Sequence, residues 1–162
     1  MPATPIKAVV VSVSDSRKEE DDVSGVTLVG LLISMKADVH EKFIVSDDLD
    51  EIREKLIEQS DREDVNLIVT TGGTGFSPRD NTPEATRAVI EREAPGLSEA
   101  MRRETAAKTP LSMLSRAICG SRGRVLIINL PGSPKGVTEC FAVVKPALQH
   151  AVDLLSGKSK HH

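Results

Sequence analysis

Apolar positions along this chain fall into two alternating rhythms. Ile6-Lys7-Ala8-Val9-Val10-Val11-Ser12-Val13 is almost continuously apolar and β-branched, which predicts a strand buried on both faces. Leu28, Leu31, Leu32 and Met35 then recur at i, i+3, i+4 and i+7, and predict a helix from Val26 onward. Val39, Phe43, Ile44 and Val45 predict a second strand that ends at Ser46-Asp47-Asp48, and Leu49, Ile52 and Leu56 mark an amphipathic helix after it. Val65 to Val69 is a third short apolar run. Helices are expected over Thr82 to Glu93, from Leu97 to about Glu104 and, briefly, from Leu111 to Arg116. Arg124 to Leu130 predicts the last strand. Val137, Cys140, Phe141 and Val144, then Leu148, Ala151, Val152 and Leu155, give a final helical stripe that Pro146 is expected to kink or restart. Because strands and helices alternate, the expected fold is α/β: three layers, with a mostly parallel sheet flanked by helices on both faces. Residues 1–155 are expected to form one domain and 156–162 a disordered tail.

In such a sheet, ligands sit beyond the carboxyl ends of the strands. The polar residues of interest collect there. The third strand runs into Thr70 to Ala85, T-T-G-G-T-G-F-S-P-R-D-N-T-P-E-A. Gly72, Gly73 and Gly75 can hold positive φ, so successive N–H groups can turn toward an anion. Thr82 occupies the expected N-cap, with Pro83 at the first helical position and Glu84 in the first turn. Strand, glycine loop and helix start together read as a phosphate site or as a glycine-rich turn that binds no ligand, and Arg79 and Asp80 place a cation and a carboxylate beside it. The loop is neither a Walker A motif, since no Gly-Lys pair follows at the required offset, nor a dinucleotide fingerprint, since Pro78 stands where its third glycine belongs. Ser14 and Asp15 end the first strand, where they read locally as an ordinary turn first and as part of the crevice second. Asp47 reads locally as a helix N-cap or as a second carboxylate facing Asp80. Asn129 ends the last strand before the turn Pro131-Gly132-Ser133-Pro134-Lys135.

Composition narrows the partners. At 162 residues the chain suits one domain, which buries roughly 68–70% of its unfolded surface. A net charge of −3, no Trp or Tyr and only three Phe leave neither a positive field nor stacking platforms for nucleic acid. No stretch has the roughly 18 apolar residues of a membrane span, and the N-terminus lacks a signal-like apolar block, so a cytoplasmic protein is expected. Cys119 and Cys140 have no C-x-x-C spacing, and His40, His150, His161 and His162 lie outside every motif, so neither residue type points to a metal site.

The glycine-loop stretch is followed by V-I-E-R-E-A-P-G from Val89, Leu114-Ser115-Arg116 and N-L-P-G-S-P-K from Asn129. In this order the motifs resemble the Mog/MoaB family of molybdenum-cofactor biosynthesis, and most of all its molybdopterin adenylyltransferases, such as the gephyrin N-terminal domain. The resemblance runs from about Ile6 to about Leu155. It implies adenylyl transfer, in which Mg-ATP and molybdopterin give adenylylated molybdopterin and pyrophosphate. Asp47 and Asp80 match the family's two essential carboxylates and are the implied Mg²⁺ ligands. The family has Pro before the first of these, whereas Ser46 stands here, so Asp48 takes the role if the register is shifted by one residue. Thr74, Thr105 and Ser115 fall at pterin and phosphate positions, where hydroxyls donate without adding charge. Ser14, Asp15, Gly72, Gly73, Gly75, Asn129, Gly132 and Ser133 fall on the nucleotide side. The resemblance also implies a homotrimer and, as a pathway partner, a molybdate-inserting enzyme. A MoaB-type protein that binds or carries the pterin without adenylylating it remains the alternative.

Overall fold

A computed structural model describes residues 2–158. In chain order the elements are β1 (Lys7–Val13), α1 (Val23–Ser34), β2 (Asp38–Val45), α2 (Leu49–Ser60), β3 (Leu67–Thr71), α3 (Thr82–Val89), β4 (Arg92–Glu93), α4 (Pro95–Thr105), β5 (Cys119–Arg122), β6 (Val125–Leu130) and α5 (Pro134–Leu155), with 3₁₀ turns at Glu19–Asp21 and Pro110–Leu114. The sheet order is β2-β1-β3-β6-β5-β4. Neighbours from β2 to β6 pair in parallel, while β5 runs antiparallel to both β6 and β4.

The period of two along each central strand builds the layers. Ala8 and Val10 of β1, Leu67 and Val69 of β3, and Leu126 and Ile128 of β6 pack with Leu28 and Leu32 of α1, Met101 of α4, and Phe141 and Leu148 of α5. Val9 and Val11, Ile68, and Val125 and Ile127 take the other face, against Ile52 and Leu56 of α2 and Ala85 and Val89 of α3. Such a side chain, fully buried, contributes about 1.5–3 kcal/mol. The strands therefore read as unbroken apolar runs because both faces are covered.

The differences from expectation have local causes. β3 begins at Leu67 and carries on into Thr70 and Thr71, whose hydroxyls find buried or loop partners. α3 stops at Val89, where Ile90 turns extended, and the chain becomes β4 instead of helix. β5 lacks an apolar pattern and exists through its pairing with β6. At Gly120 a Cβ would meet the Arg92 carbonyl oxygen at 2.6 Å, so the β4 crossing needs glycine there. α5 is one helix of 22 residues through Pro146, since both Pro146 and Ala142, the residue whose carbonyl loses its amide partner, are exposed to water. At the C-terminus, Ser156 is the C-cap of α5 and its hydroxyl donates to the Asp153 carbonyl at 2.7 Å. Residues 159–162 of the expected tail lie outside the described residues, His161 and His162 among them.

Candidate functional site: a glycine loop between two carboxylates

The parallel register brings four strand ends to one edge. Val13 is beside Val45, Ser12 beside Thr71, and Thr71 beside Leu130. The loops that follow, beginning at residues 14, 46, 72 and 131, are therefore neighbours. They meet where the chain leaves β1 for β2 on one side and β3 lies on the other, the switch point of the sheet.

Gly72 and Gly73 have φ of +99° and +69°, in the left-handed region. A Cβ at Gly72 would sit 2.5 Å from the Val13 carbonyl oxygen; one at Gly73 would sit 2.3 Å from Thr82 Oγ1 and 3.3 Å from Asp47 Oδ1. Asn81, not Thr82, is the N-cap of α3, and it makes no capping bond. This frees the Thr82 hydroxyl to donate to the Gly72 carbonyl at 2.9 Å, while the Thr82 N–H donates to the Gly73 carbonyl. The Gly72 N–H donates to Leu130 O at 3.1 Å. The N–H groups of Gly73, Thr74 and Gly75 make no hydrogen bond within the described residues, which leaves three loop donors for an anion.

Two carboxylates flank this loop. Asp15 and Asp47 are tied reciprocally: the Asp15 N–H donates to Asp47 Oδ2 and the Asp47 N–H to Asp15 Oδ1, both at 2.9 Å. Arg79 forks onto Asp15, with Nε 3.0 Å from Oδ2 and NH2 2.8 Å from Oδ1. Asp48 is the helix cap, accepting the Glu51 N–H at 3.0 Å, and so Asp47 is the acid that turns to the loop. Across the loop, Asp80 Oδ2 accepts the Ser77 N–H at 3.0 Å and lies 2.9 Å from where a Gly75 Cβ would be. Oδ1 of Asp47 and Oδ1 of Asp80 accept no hydrogen bond from the described residues.

The electrostatics follow this geometry. Burial pushes the Asp47 carboxyl above the usual range, and the charges of Asp15 and Asp80 push it further, against the Asp15 N–H and Arg79. The Arg79 guanidinium and the Asp47 amide hold Asp15 below it. Two acids that repel one another, each with an open oxygen beside a cradle with no room for a Cβ, fit an oxygen-liganded cation such as Mg²⁺, which takes one or two carboxylates and completes its shell with substrate oxygens and water. Among the described residues no group of three or more His, Cys, Asp or Glu could hold a metal, so a cation here depends on those substrate oxygens.

The other predicted residues fall into distinct environments. Ser14 Oγ accepts from the N–H groups of Ser16 and Arg17, a serine turn. Both Asp15 oxygens are taken up by Arg79 and the Asp47 amide. Thr105, whose hydroxyl donates to Met101 O at 2.6 Å, and Ser133, the N-cap of α5, line a cavity of about 370 Å³ together with Lys108, Lys135, Glu139 and Cys140. Asp47 and Asp80 are not in its wall. Thr74 is buried, and Ser115 Oγ accepts the Ala117 N–H. Gly132 touches the central loop, its would-be Cβ 3.3 Å from Gly72 Cα. Asn129 departs most from expectation. It lies buried below the crevice, donating to Thr70 Oγ1 at 3.1 Å and Thr86 Oγ1 at 2.9 Å and accepting the Ile118 N–H at 3.1 Å, so its amide ties together β3, α3 and the segment that enters β5, and has no donor left for a nucleotide.

The sequence assigns no role to Asp22, and it offers Arg116 only as the end of the Leu114-Ser115-Arg116 motif. Asp22 is 1% exposed and accepts from Ser12 Oγ, the Gly25 N–H and Lys42 Nζ, which fixes the loop that carries Asp15. Arg116 grips the glycine loop from the far side. A charge within a polar stretch has no local mark that separates such a role from solvation.

Strand ends, glycine loop and paired acids give this α/β protein the arrangement with which such folds meet phosphates. The family described as "Probable molybdopterin binding domain" matches residues 9–150, and the chain belongs to that family. It is 41% identical over 152 residues to a molybdopterin adenylyltransferase of Helicobacter pylori, covering 91% of this chain and 86% of that protein. It is 44% identical over 149 residues to the molybdenum cofactor synthesis protein cinnamon of Drosophila melanogaster; that match covers 90% of this chain and spans only 25% of the longer protein. Among solved structures, the molybdopterin biosynthesis enzyme MoaB from Thermus thermophilus superposes with a TM-score of 0.86 at 42% identity, covering 94% of this chain and 98% of that one. A molybdenum cofactor biosynthesis protein B gives 0.91 at 33% identity, covering 97% and 99%.

Proposed function

We propose that this protein is a molybdopterin adenylyltransferase, joining the terminal phosphate of molybdopterin to the α-phosphate of ATP with release of pyrophosphate. The observation that carries the reading is the pair Asp47 and Asp80, placed on either side of a glycine loop with one open oxygen each and three unpartnered N–H groups between them. The attacking phosphate is already ionised, so no general base is required; the difficulty is bringing two anions together. The amides of Gly73, Thr74 and Gly75 meet phosphate charge, and the α3 start adds its dipole. Asp47 and Asp80 would hold Mg²⁺, which when bound offsets charge on the reacting phosphates. Thr105 lines the cavity at the start of α5, the space this reading gives to the pterin, with Lys108 and Lys135 in its wall; Ser133 lines the same cavity and so falls on the pterin side in this reading.

Two broader features belong to the same reading. No helix of the described residues is long and apolar enough to cross a membrane, consistent with a cytoplasmic enzyme. Val23, Val26 and Ile33 are 59%, 59% and 58% exposed on one face of α1, with Gly30 between them; this apolar stripe supports self-association through α1, and the family resemblance implies that the assembly is a homotrimer.

The test is a single turnover of desalted protein with molybdopterin, ATP and Mg²⁺, following pyrophosphate and adenylylated pterin, with Asp80→Ala in parallel. Removing one of the two carboxylates that would hold the cation should cost on the order of 10²-fold or more in turnover, with pterin still bound. Pterin retained but no product from the parent protein would instead establish a carrier.

A further inference from the structure

We propose that Arg116 is a positioning residue that sets the direction of the loop amides and the place of Asp80 without touching substrate; the inference rests on the site assigned above. From the segment that follows the Pro110–Leu114 turn, the Arg116 N–H donates to Thr74 O at 2.9 Å, Nε to Gly75 O at 2.7 Å, NH2 to Asp80 O at 2.8 Å, and NH1 to Glu84 Oε2 in the first turn of α3 at 2.6 Å. Its guanidinium carbon lies 5.3 Å from the Phe76 ring centroid. One residue thus holds the glycine loop, the second carboxylate and the next helix.

The consequence comes from peptide planarity: in a trans peptide the C=O of one residue and the N–H of the next point in opposite directions. The Gly72 and Gly73 carbonyls are tied to the Thr82 hydroxyl and amide, and those of Thr74 and Gly75 to the Arg116 backbone and Nε. Four consecutive carbonyls turned to these anchors aim the N–H groups of Gly73, Thr74, Gly75 and Phe76 away from them. The array of open donors is therefore built by carbonyl anchoring, half of it from Arg116. Arg116 is itself held, because Arg102 of α4 donates to Ser115 O at 3.2 Å and Ala117 O at 3.1 Å on either side of it. All the charged contacts of Arg116 are thus internal, which separates it from a phosphate-binding arginine.

The test compares Arg116→Gln, Arg116→Lys and Glu84→Gln by steady-state kinetics and by amide hydrogen exchange in the free protein. Loss of a residue that orients ligating groups lowers turnover by about 10–100-fold. The expected pattern for Arg116→Gln is this fall in kcat with KM for both substrates within about threefold, since the donors remain but are misaimed. Lysine lacks the planar guanidinium whose three nitrogens reach Gly75 O, Glu84 Oε2 and Asp80 O together, and should rescue little; Glu84→Gln, which keeps a neutral acceptor and the fold, should give a smaller fall of the same kind. Exchange at the Thr82 and Asp80 amides should quicken by about tenfold in Arg116→Gln while β3 amides hold. Full rescue by lysine with a changed KM would place the charge on substrate and overturn the proposal, as would unchanged kcat. If the parent protein shows no turnover, the adenylyltransferase reading falls and exchange alone decides: unchanged protection at Thr82 and Asp80 would end the positioning role.

Discussion

At Asp47, burial and the charges of Asp15 and Asp80 all oppose ionisation, and the folded protein accepts that cost to keep an acid at the loop. Its pKa is raised above the unfolded value of about 4, so the unfolded chain releases the proton first. Stability contributed here therefore falls as pH rises from about 4 through the folded pKa, and stays lower above it. Asp47→Asn removes the charge but keeps an oxygen to accept the Asp15 N–H. The variant should melt at least as high as the parent at pH 7, with the two converging near pH 3, while product formation is lost. A clear drop in Tm at pH 7 would show that Asp47 is structural. The same residue shows how far local reading reaches. Asp47 and Asp48 are interchangeable as candidate caps in sequence; they separate only when the Asp48 carboxylate is seen on the Glu51 amide and the Asp47 carboxylate on the Asp15 amide.

Among the elements, the junction of β1, α1 and β2 depends on one buried acid. Burial alone would raise the Asp22 pKa, but Lys42, the Ser12 hydroxyl and the Gly25 amide together hold it below the usual carboxylate range. For a depressed pKa the stabilisation is complete above the unfolded value of about 4 and is lost as pH falls through the folded one. Burial likewise opposes the Lys42 charge, yet Asp22 and Glu19 raise its pKa, so its share persists below about 10.4 and disappears as pH climbs through the folded value. Asp22→Asn leaves Lys42, with 14% of its side chain exposed, facing only Glu19. The expected loss is about 3 kcal/mol at pH 7, the low end for a broken buried pair. Urea unfolding at pH 7 and pH 3 checks it: the gap between variant and parent should narrow at the lower pH, and an equal gap would assign the effect to packing.

For the whole molecule, the exposed apolar face of α1 is a feature that a lone chain does not explain. Light scattering should give three times the 17.4 kDa chain mass, and Val26→Glu with Ile33→Glu should reduce it to one without loss of helical signal. A monomeric parent would remove the trimer from the proposed reading. From the sequence by itself came the alternation of strand and helix, because apolar period is set by which faces are covered, and the glycine loop, because only glycine tolerates its φ and close contacts. The acids at strand ends came from it too, through their place beside the loop and the family resemblance. Tertiary structure alone decided what those residues face. β4 and β5 exist through their neighbours and not through propensity. Asn129, legible as a strand-end polar residue, proves to be a buried knot because Thr70 and Thr86 arrive beside it from other elements. The roles of Asp22 and Arg116 were hidden for the same reason: each acts mainly through partners that lie near it in space and far from it along the chain, Lys42 for Asp22 and Gly75 and Asp80 for Arg116.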